Sequence, residues 1–243
     1  MPFVTGTRSN GEIASCATEQ AQYMFDNANH ALSTFGFSYP QVVRTWIYLS
    51  RILDWYGEFN RLRTLHHANV GIGRNLASSV FPASTGIQGG SFDEECCMDL
   101  LAVDPAPSGS MTVEPIRNTS RQGQAFSYGS AFSRAMALEI KGRKTVFVSG
   151  TASIDGVGQT MHAEDPEGQC LETLQAIAAL LEDQGGGLES ICTAMAFCKN
   201  QEVYEAYRRI IRQLNLPQFP TIFVRADVCR PELLFEMEPV ALI

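Results

Sequence analysis

The stretch VFVSGTASIDG, residues 146–156, has a shorter counterpart near the N-terminus in FVTGT, residues 3–7. The segments that follow the two stretches are alike. Each runs through an apolar-periodic helix, a glycine, a strand rich in β-branched residues, a second helix and two closing strands. Because each half supplies both strands and helices, we expect an α+β fold of two tandem units, each a mixed β-sheet with two helices packed on one face.

The second half is the clearer copy. Its first helix is predicted over EGQCLETLQAIAALLEDQ, residues 167–184, because its leucines and Ile177 recur on one face, and three glycines end it. An additional strand, SRAMALEI, precedes it and has no complete counterpart in the first half. We therefore predict an N-terminal unit at 1–103 that lacks its first strand, a Pro-, Gly- and Ser-rich linker at 104–130, and a C-terminal unit at 131–243.

Composition excludes several classes of function. The chain has 243 residues, a net charge of −8 and no basic run, so we expect no nucleic-acid partner. No apolar stretch reaches the roughly 20 residues of a membrane span, and the N-terminus does not resemble a signal peptide. The seven cysteines form no C-x-x-C pair, which favours reduced thiols, no metal site and a cytoplasmic location. A sheet covered on one face must bury the other, so we expect a homo-oligomer.

The stretch LLFEMEPV, residues 233–240, places two carboxylates in an apolar strand. Alternation puts Glu236 and Glu238 on one face, and Phe235 and Met237 on the other. Apolar surroundings disfavour the charged form, so the pKa of Glu236 should rise, as a general acid at neutral pH requires. The alternative is that both glutamates face solvent at a sheet edge or pair with arginines across an interface.

The order VFVSGT, E-x-Q helix, glycine, FPT and E-x-E strand resembles the Rid family of YjgF/L-PSP type over residues 131–243, with a weaker copy over 1–103. The resemblance implies Rid/chorismate-mutase-like units, a trimeric assembly and clefts between subunits. Rid imine deaminases carry an arginine directly after the FPT step. Here Ile222 and Ser84 occupy that position, which argues against imine deamination.

A narrower resemblance is to the chorismatases, which are Rid-fold enzymes. It rests on YGSAFSRA at 128–135, VFVSGTASI at 146–154 and ADVCRPELLFEME at 226–238, with FPASTGI and EFNRLR upstream. It implies cleavage of the enolpyruvyl ether of chorismate, or of a related small carboxylate, with release of pyruvate and without a cofactor.

The same resemblance implies the roles of the candidate site residues. Glu236 matches the acid that protonates the enolpyruvyl methylene, and Cys229 lies where the family shapes its pocket and product. Arginine suits carboxylate binding because it binds bidentately. The expected substrate-binding residues are Arg134, Arg230, Arg63, Cys229, Tyr128, Thr151, Ala152 and Ser153. The alternatives are a Rid-type imine or enamine deaminase and a non-catalytic small-ligand-binding protein.

Overall fold

The computed structural model describes residues 4–73, 79–90, 93–105 and 111–243. Its first unit is a four-stranded sheet in the order β1-β4-β2-β3. Strands β2 and β3 are parallel and the other pairs are antiparallel, so the sheet is mixed. The elements are β1 (Val4–Thr5), α1 (Ala17–Thr34), β2 (Val42–Leu49), α2 (Ile52–Asn69), β3 (Ala83–Gln88) and β4 (Cys96–Ala102).

The second unit is a seven-stranded sheet. Its path is β10-β9-β11-β7-β6-β5, and β8 pairs with β11. Strands β9 and β10 are parallel, so this sheet is mixed as well. The elements are β5 (Met111–Ile116), β6 (Ala135–Ile140), β7 (Arg143–Val148), β8 (Thr151–Ala152), α3 (Pro166–Glu182), β9 (Ile191–Cys198), α4 (Gln201–Gln213), β10 (Thr221–Arg225) and β11 (Phe235–Leu242).

Local sequence explains how the helices of the second unit begin. The Asp165 side chain accepts a hydrogen bond from the Gly168 amide, and Pro166 occupies the first turn of α3. Asn200 caps α4 through the Val203 amide. The apolar faces of both helices then pack on one side of the sheet, against residues such as Val146, Ala196, Phe235 and Met237. The predicted α+β fold with helices on one face is confirmed.

The segment predicted as a linker contributes a strand. Residues 111–116 form β5, which pairs antiparallel with β6 at the edge of the second sheet. Pro115 lies in this strand, and an edge strand tolerates proline because one row of its amides needs no partner. The Pro- and Gly-rich composition that predicted a linker is therefore also compatible with an edge strand.

The uncovered faces of the two sheets meet each other. Val43 and Ala83 of the first unit pack against Met136 and Leu138 of the second. Main-chain contacts hold β3 beside the second sheet, since the Gly150 amide donates to the Ser84 carbonyl at 3.2 Å. The faces that were expected to need a neighbouring subunit are thus partly buried within one chain, and the boundary between the units is where the site forms.

Within the described ranges, none of the helices combines the length and apolar character needed to cross a membrane.

Candidate active site between the two units

A cavity of about 250 Å³ lies at the boundary between the units. The helix α2 and strand β3 supply its wall from the first unit. The second unit supplies the segment that precedes β6, the turn around β8, the segment that precedes β11, and β11 itself. Its lining residues are Tyr56, Asn60, Arg63, Ser84, Gly86, Tyr128, Ser130, Phe132, Arg134, Gly150, Ala152, Ile154, Cys229, Arg230, Leu233 and Glu236.

Glu236 enters this cavity from a strand inside the sheet. Its strand, β11, is paired on both sides, with Glu236 opposite Phe197 of β9 and Ala152 of β8. Its neighbours Phe235 and Met237 point into the helix-covered core. The carboxyl therefore faces the other unit, and the residue is 5% exposed. The predicted alternation is confirmed, and the alternative of a solvent-facing edge carboxylate is wrong for Glu236.

Burial makes Glu236 a weaker acid than an ordinary glutamate. Desolvation raises its pKa to about 8, and the neighbouring charge of Glu238 adds to the rise while Arg44 opposes it. Among the described residues, Glu236 accepts no hydrogen bond and has no ion-pair partner; the groups that shift its pKa act through burial and charge alone. At neutral pH the carboxyl is therefore largely protonated, and its proton faces the cavity.

Glu238 has the arginine partner that the alternative interpretation foresaw. Arg44 of β2 lies 2.5 Å from a Glu238 carboxylate oxygen and donates to the Thr85 hydroxyl at 2.6 Å. The pair crosses the boundary between the units and is almost completely buried. Desolvation raises the pKa of Glu238, and Arg44 and hydrogen bonds from its surroundings oppose that rise. The two glutamates of one strand face thus differ in their partners, since Glu238 is ion-paired with Arg44 and Glu236 lines the cavity.

Two of the predicted arginines supply positive charge to one end of the cavity. Arg134 donates through Nε to the Gly123 carbonyl at 2.9 Å, and Arg63 donates to Asn60 at 2.5 Å. The two guanidinium carbons lie 5.7 Å and 5.6 Å from the centre of the Phe132 ring. Arg134 Nη2 and Arg63 Nε are buried without a hydrogen-bond partner. Neither arginine has an acidic partner in the described part of the chain, so both are available to an anion.

Arg230 and Tyr128 lie together at the same cavity. Arg230 donates to the Gly158 carbonyl at 2.6 Å, and the centre of the Tyr128 ring lies 5.3 Å from the guanidinium carbon of Arg134 and 6.0 Å from that of Arg230. Burial raises the pKa of Tyr128, so its phenol is neutral and can donate a hydrogen bond. The structure therefore brings together Glu236, Tyr128 and the three predicted arginines.

The segment 150–153 divides between the cavity and the packed interior. Ala152 lines the cavity, as Gly150 does. Thr151 and Ser153 point away from it, because successive residues of an extended chain alternate in direction. Their hydroxyls donate to the carbonyls of Ser149 and Met161. The resemblance implied that these two hydroxyls contact a substrate directly. This geometry does not favour that contact.

Cys229 lines the cavity as a neutral thiol. Burial raises its pKa to about 12, and the nearby Glu236 adds to the effect. A thiol in this state is neither a strong nucleophile nor a metal ligand at neutral pH. Its role at the site is therefore one of shape or of weak hydrogen bonding. The described residues contain no group of three or more His, Cys, Asp or Glu side chains that could hold a metal ion.

Several residues of the site were not predicted. Arg44 lies in VVRTWIYL, the strand of the first half that is rich in β-branched residues, and a charged residue in such a strand is itself a signal of a buried ion pair. Ser84 was noted as replacing an arginine, and Arg63 from α2 now donates to its hydroxyl at 3.4 Å. Gly150 is needed for close approach, because a Cβ there would lie 2.9 Å from Glu236 Cδ. No local pattern distinguished that glycine.

Three comparisons agree with this architecture. Residues 124–243 match the family model described as Endoribonuclease L-PSP. The chain is 29% identical to a 3-hydroxybenzoate synthase from Streptomyces hygroscopicus over 265 residues, covering 96% of this chain and 75% of that protein. A solved chorismatase superposes with a TM-score of 0.72 at 22% identity, covering 99% of this chain and 72% of that one, and so has the same fold. Residues 124–243 therefore match the L-PSP family, and the chain as a whole has the two-unit fold of the chorismatase.

Proposed function

We propose that the protein cleaves the enolpyruvyl ether of chorismate, or of a closely related small dicarboxylate, and releases pyruvate, with Glu236 as the general acid. The observation that carries the proposal is a buried carboxyl with a raised pKa in the same cavity as three arginines that have no acidic partner among the described residues. An enol ether is cleaved by protonation at carbon, and the substrate's carboxylates need positive charge.

The reaction follows from these groups in three steps. Glu236 transfers its proton to the methylene carbon, which converts the enol ether into an oxocarbenium ion at the neighbouring carbon. Water adds to that carbon and gives a hemiketal. The hemiketal collapses with cleavage of its bond to the ring oxygen, and the products are pyruvate and a dihydroxycyclohexadiene carboxylate. The atoms of the two products together equal those of the substrate plus one water, and no redox partner is required.

A second outcome needs no net water. The ring can lose the enolpyruvyl group by an internal rearrangement, aromatise and leave as a hydroxybenzoate, again with pyruvate. Cys229 supports this route, since the resemblance associates a cysteine at this position with hydroxybenzoate formation and the structure puts the thiol in the cavity. The name of the Streptomyces relative, a 3-hydroxybenzoate synthase, points the same way.

The arginines provide binding and orientation. Substrate carboxylates that pair with Arg134 and Arg63 would satisfy guanidinium nitrogens that are now buried without partners. Arg230 adds a third cation, with its guanidinium carbon 6.0 Å from the centre of the Tyr128 ring. Such preorganised charge lowers the barrier by orienting the enol ether against the Glu236 proton, and it needs no reorganisation during the reaction.

The experiment that tests the function is incubation of the purified protein with chorismate. Pyruvate is followed by a coupled lactate dehydrogenase assay, and ring products are separated by chromatography. Pyruvate with a stoichiometric ring product supports the proposal. Ammonia released from an iminopropionate-type substrate, with no turnover of chorismate, would instead support the Rid deaminase alternative. No turnover of either compound would favour a ligand-binding protein.

We also propose that the protein acts as a cytoplasmic homo-oligomer, with a trimer as the expected state. A largely apolar groove of about 820 Å³, lined by β2 and β4 of the first unit and by β9 and β11 of the second, remains open beside the Arg44–Glu238 pair. Ile222, at its rim, is 62% exposed. All seven cysteines are free thiols, which suits a reducing compartment. Sedimentation equilibrium of the wild type and of Ile222→Asp tests the assembly, since the substitution should dissociate it.

A further inference from the structure

Glu236 and Glu238 share one cation, and only one of them is bonded to it. Arg44 Nη2 is occupied twice, by the Glu238 carboxylate at 2.5 Å and by the Thr85 hydroxyl at 2.6 Å. Thr85 in turn accepts the Gly150 amide at 3.0 Å, which fixes it against the turn that carries the cavity wall. Arg44 is therefore held on the Glu238 side.

We propose that Glu238 and Arg44 are positioning residues whose ion pair keeps the proton on Glu236, because Glu238 neutralises Arg44, a cation that would otherwise stabilise an ionised Glu236. This inference rests on the proposed acid role of Glu236. One guanidinium and two buried carboxyls are neutral overall when a single proton is retained. The Arg44–Glu238 ion pair therefore favours retention of this proton by Glu236, the carboxyl that faces the cavity.

The other charged or titratable groups around Glu236 do not replace Arg44. Cys229 and the phenols of Tyr56 and Tyr128 have raised pKa values because they are buried, so they are neutral. Arg63, Arg134 and Arg230 line the same cavity, but they donate to Asn60, the Gly123 carbonyl and the Gly158 carbonyl, and Arg44 is the cation that opposes the rise in the Glu236 pKa. Their proposed role is to bind the carboxylates of the substrate.

The pair also prepares the step after proton transfer. Once Glu236 has given up its proton, two carboxylates face one arginine, and Arg44 already opposes the rise in the Glu236 pKa. Arg44 Nη1 is buried without a hydrogen-bond partner. The cation thus limits the cost of the ionised intermediate state without removing the proton beforehand.

The test is a pH titration of Glu236 itself in the full-length protein without substrate. The infrared band of the protonated Glu236 carboxyl is identified because it is lost in Glu236→Gln. The pH midpoint at which this band disappears is then compared in wild type, Glu238→Gln and the double variant Arg44→Met/Glu238→Gln. Glutamine keeps the shape of Glu238 and an acceptor for Arg44. We expect Glu238→Gln to lower the midpoint by more than about one pH unit, a tenfold loss of proton affinity, because Arg44 loses its anion.

The double variant is the control for general disruption. With both charges removed, desolvation alone acts on Glu236, so its midpoint should stay within about one unit of the wild type. An unchanged or higher midpoint in Glu238→Gln would overturn the inference. A midpoint well below the wild type in the double variant would overturn it as well, even where the single variant does not fold. The titration contains no chorismate, so its result is separate from whether pyruvate is released.

Discussion

Glu236 and Glu238 lie on the same face of β11, and Arg44 pairs with Glu238 while Glu236 faces the cavity without an ion-pair partner among the described residues. Two chemically identical side chains, two positions apart, thereby differ in their partners. The difference originates in the other unit of the chain, which supplies Arg44. One face of a single strand thus carries an ion-paired carboxylate and a carboxyl that faces the cavity.

The first prediction concerns the pH dependence of pyruvate release. Glu236 acts in its protonated form and has a pKa of about 8, so kcat/KM should be constant near pH 6 to 7 and fall as the pH rises through about 8. Steady-state rates from pH 6 to 9.5 measure this limb. A rate that rises across that range would assign Glu236 the role of a base.

The second prediction concerns stability. The folded-state pKa of Glu236 lies above its ordinary value of 4.5, so the folded protein holds this proton more tightly than the unfolded chain does. The contribution of that proton to the free energy of unfolding is fully present below pH 4.5 and is lost progressively as the pH rises to about 8. The slope is about 1.4 kcal/mol per pH unit within that window. Urea unfolding of wild type and Glu236→Gln at pH 5.5 and 8 measures it. The variant should lack this contribution, and equal slopes for the two proteins would contradict the buried protonated state.

The third prediction concerns Gly150. An added Cβ would lie 2.9 Å from Glu236 Cδ and closer still to its Oε1, so Gly150→Ala must displace the carboxyl. We expect kcat to fall at least about tenfold, since displacement of a catalytic group by about 1 Å costs on the order of 10²-fold. Gly156→Ala is the matched control because nothing lies within 4 Å of its added Cβ. Equal activity of both variants would show that the carboxyl position is not critical.

The fourth prediction concerns Arg134. Arg134→Met keeps an unbranched, mostly apolar stem but removes the guanidinium group and its charge, so KM for chorismate should rise by about 10- to 100-fold, as expected for loss of a charge-assisted hydrogen bond of about 1.5–3 kcal/mol. Stability should change little, because no buried anion is left unpaired. Arg212→Met, on the exposed side of α4, is the control. An unaltered KM would remove Arg134 from the binding site.

The repeat and its periodicity were sufficient to predict the two α+β units, because apolar spacing within a helix or strand is a local property. The alternation of LLFEMEPV likewise put both glutamates on the face away from the core. Neither pattern could identify the partner of Glu238, since Arg44 is 194 positions away in sequence and is brought close by the packing of one unit on the other. Strand β5 was missed for a different reason: an edge strand tolerates the proline that predicts a linker.

In the segment 150–153 the family resemblance implied more cavity-lining residues than the structure has. The family likeness implied that Thr151, Ala152 and Ser153 all line the pocket, yet extended backbone directs alternate side chains to opposite sides. Ala152 faces the cavity, while Thr151 and Ser153 donate to main-chain carbonyls. The register that decides this is set by the pairing of β8 with β11, where Ala152 lies opposite Glu236.

The most direct test of the acid role is to measure pyruvate release from chorismate by wild type and Glu236→Gln at pH 7, with unfolding curves recorded for both. Glutamine keeps the volume of the side chain but cannot give up a proton, so we predict a fall in kcat of about 10²- to 10⁴-fold in a fully folded variant. Pyruvate release at the wild-type rate by the folded variant would contradict the account and leave Glu236 as a structural carboxyl.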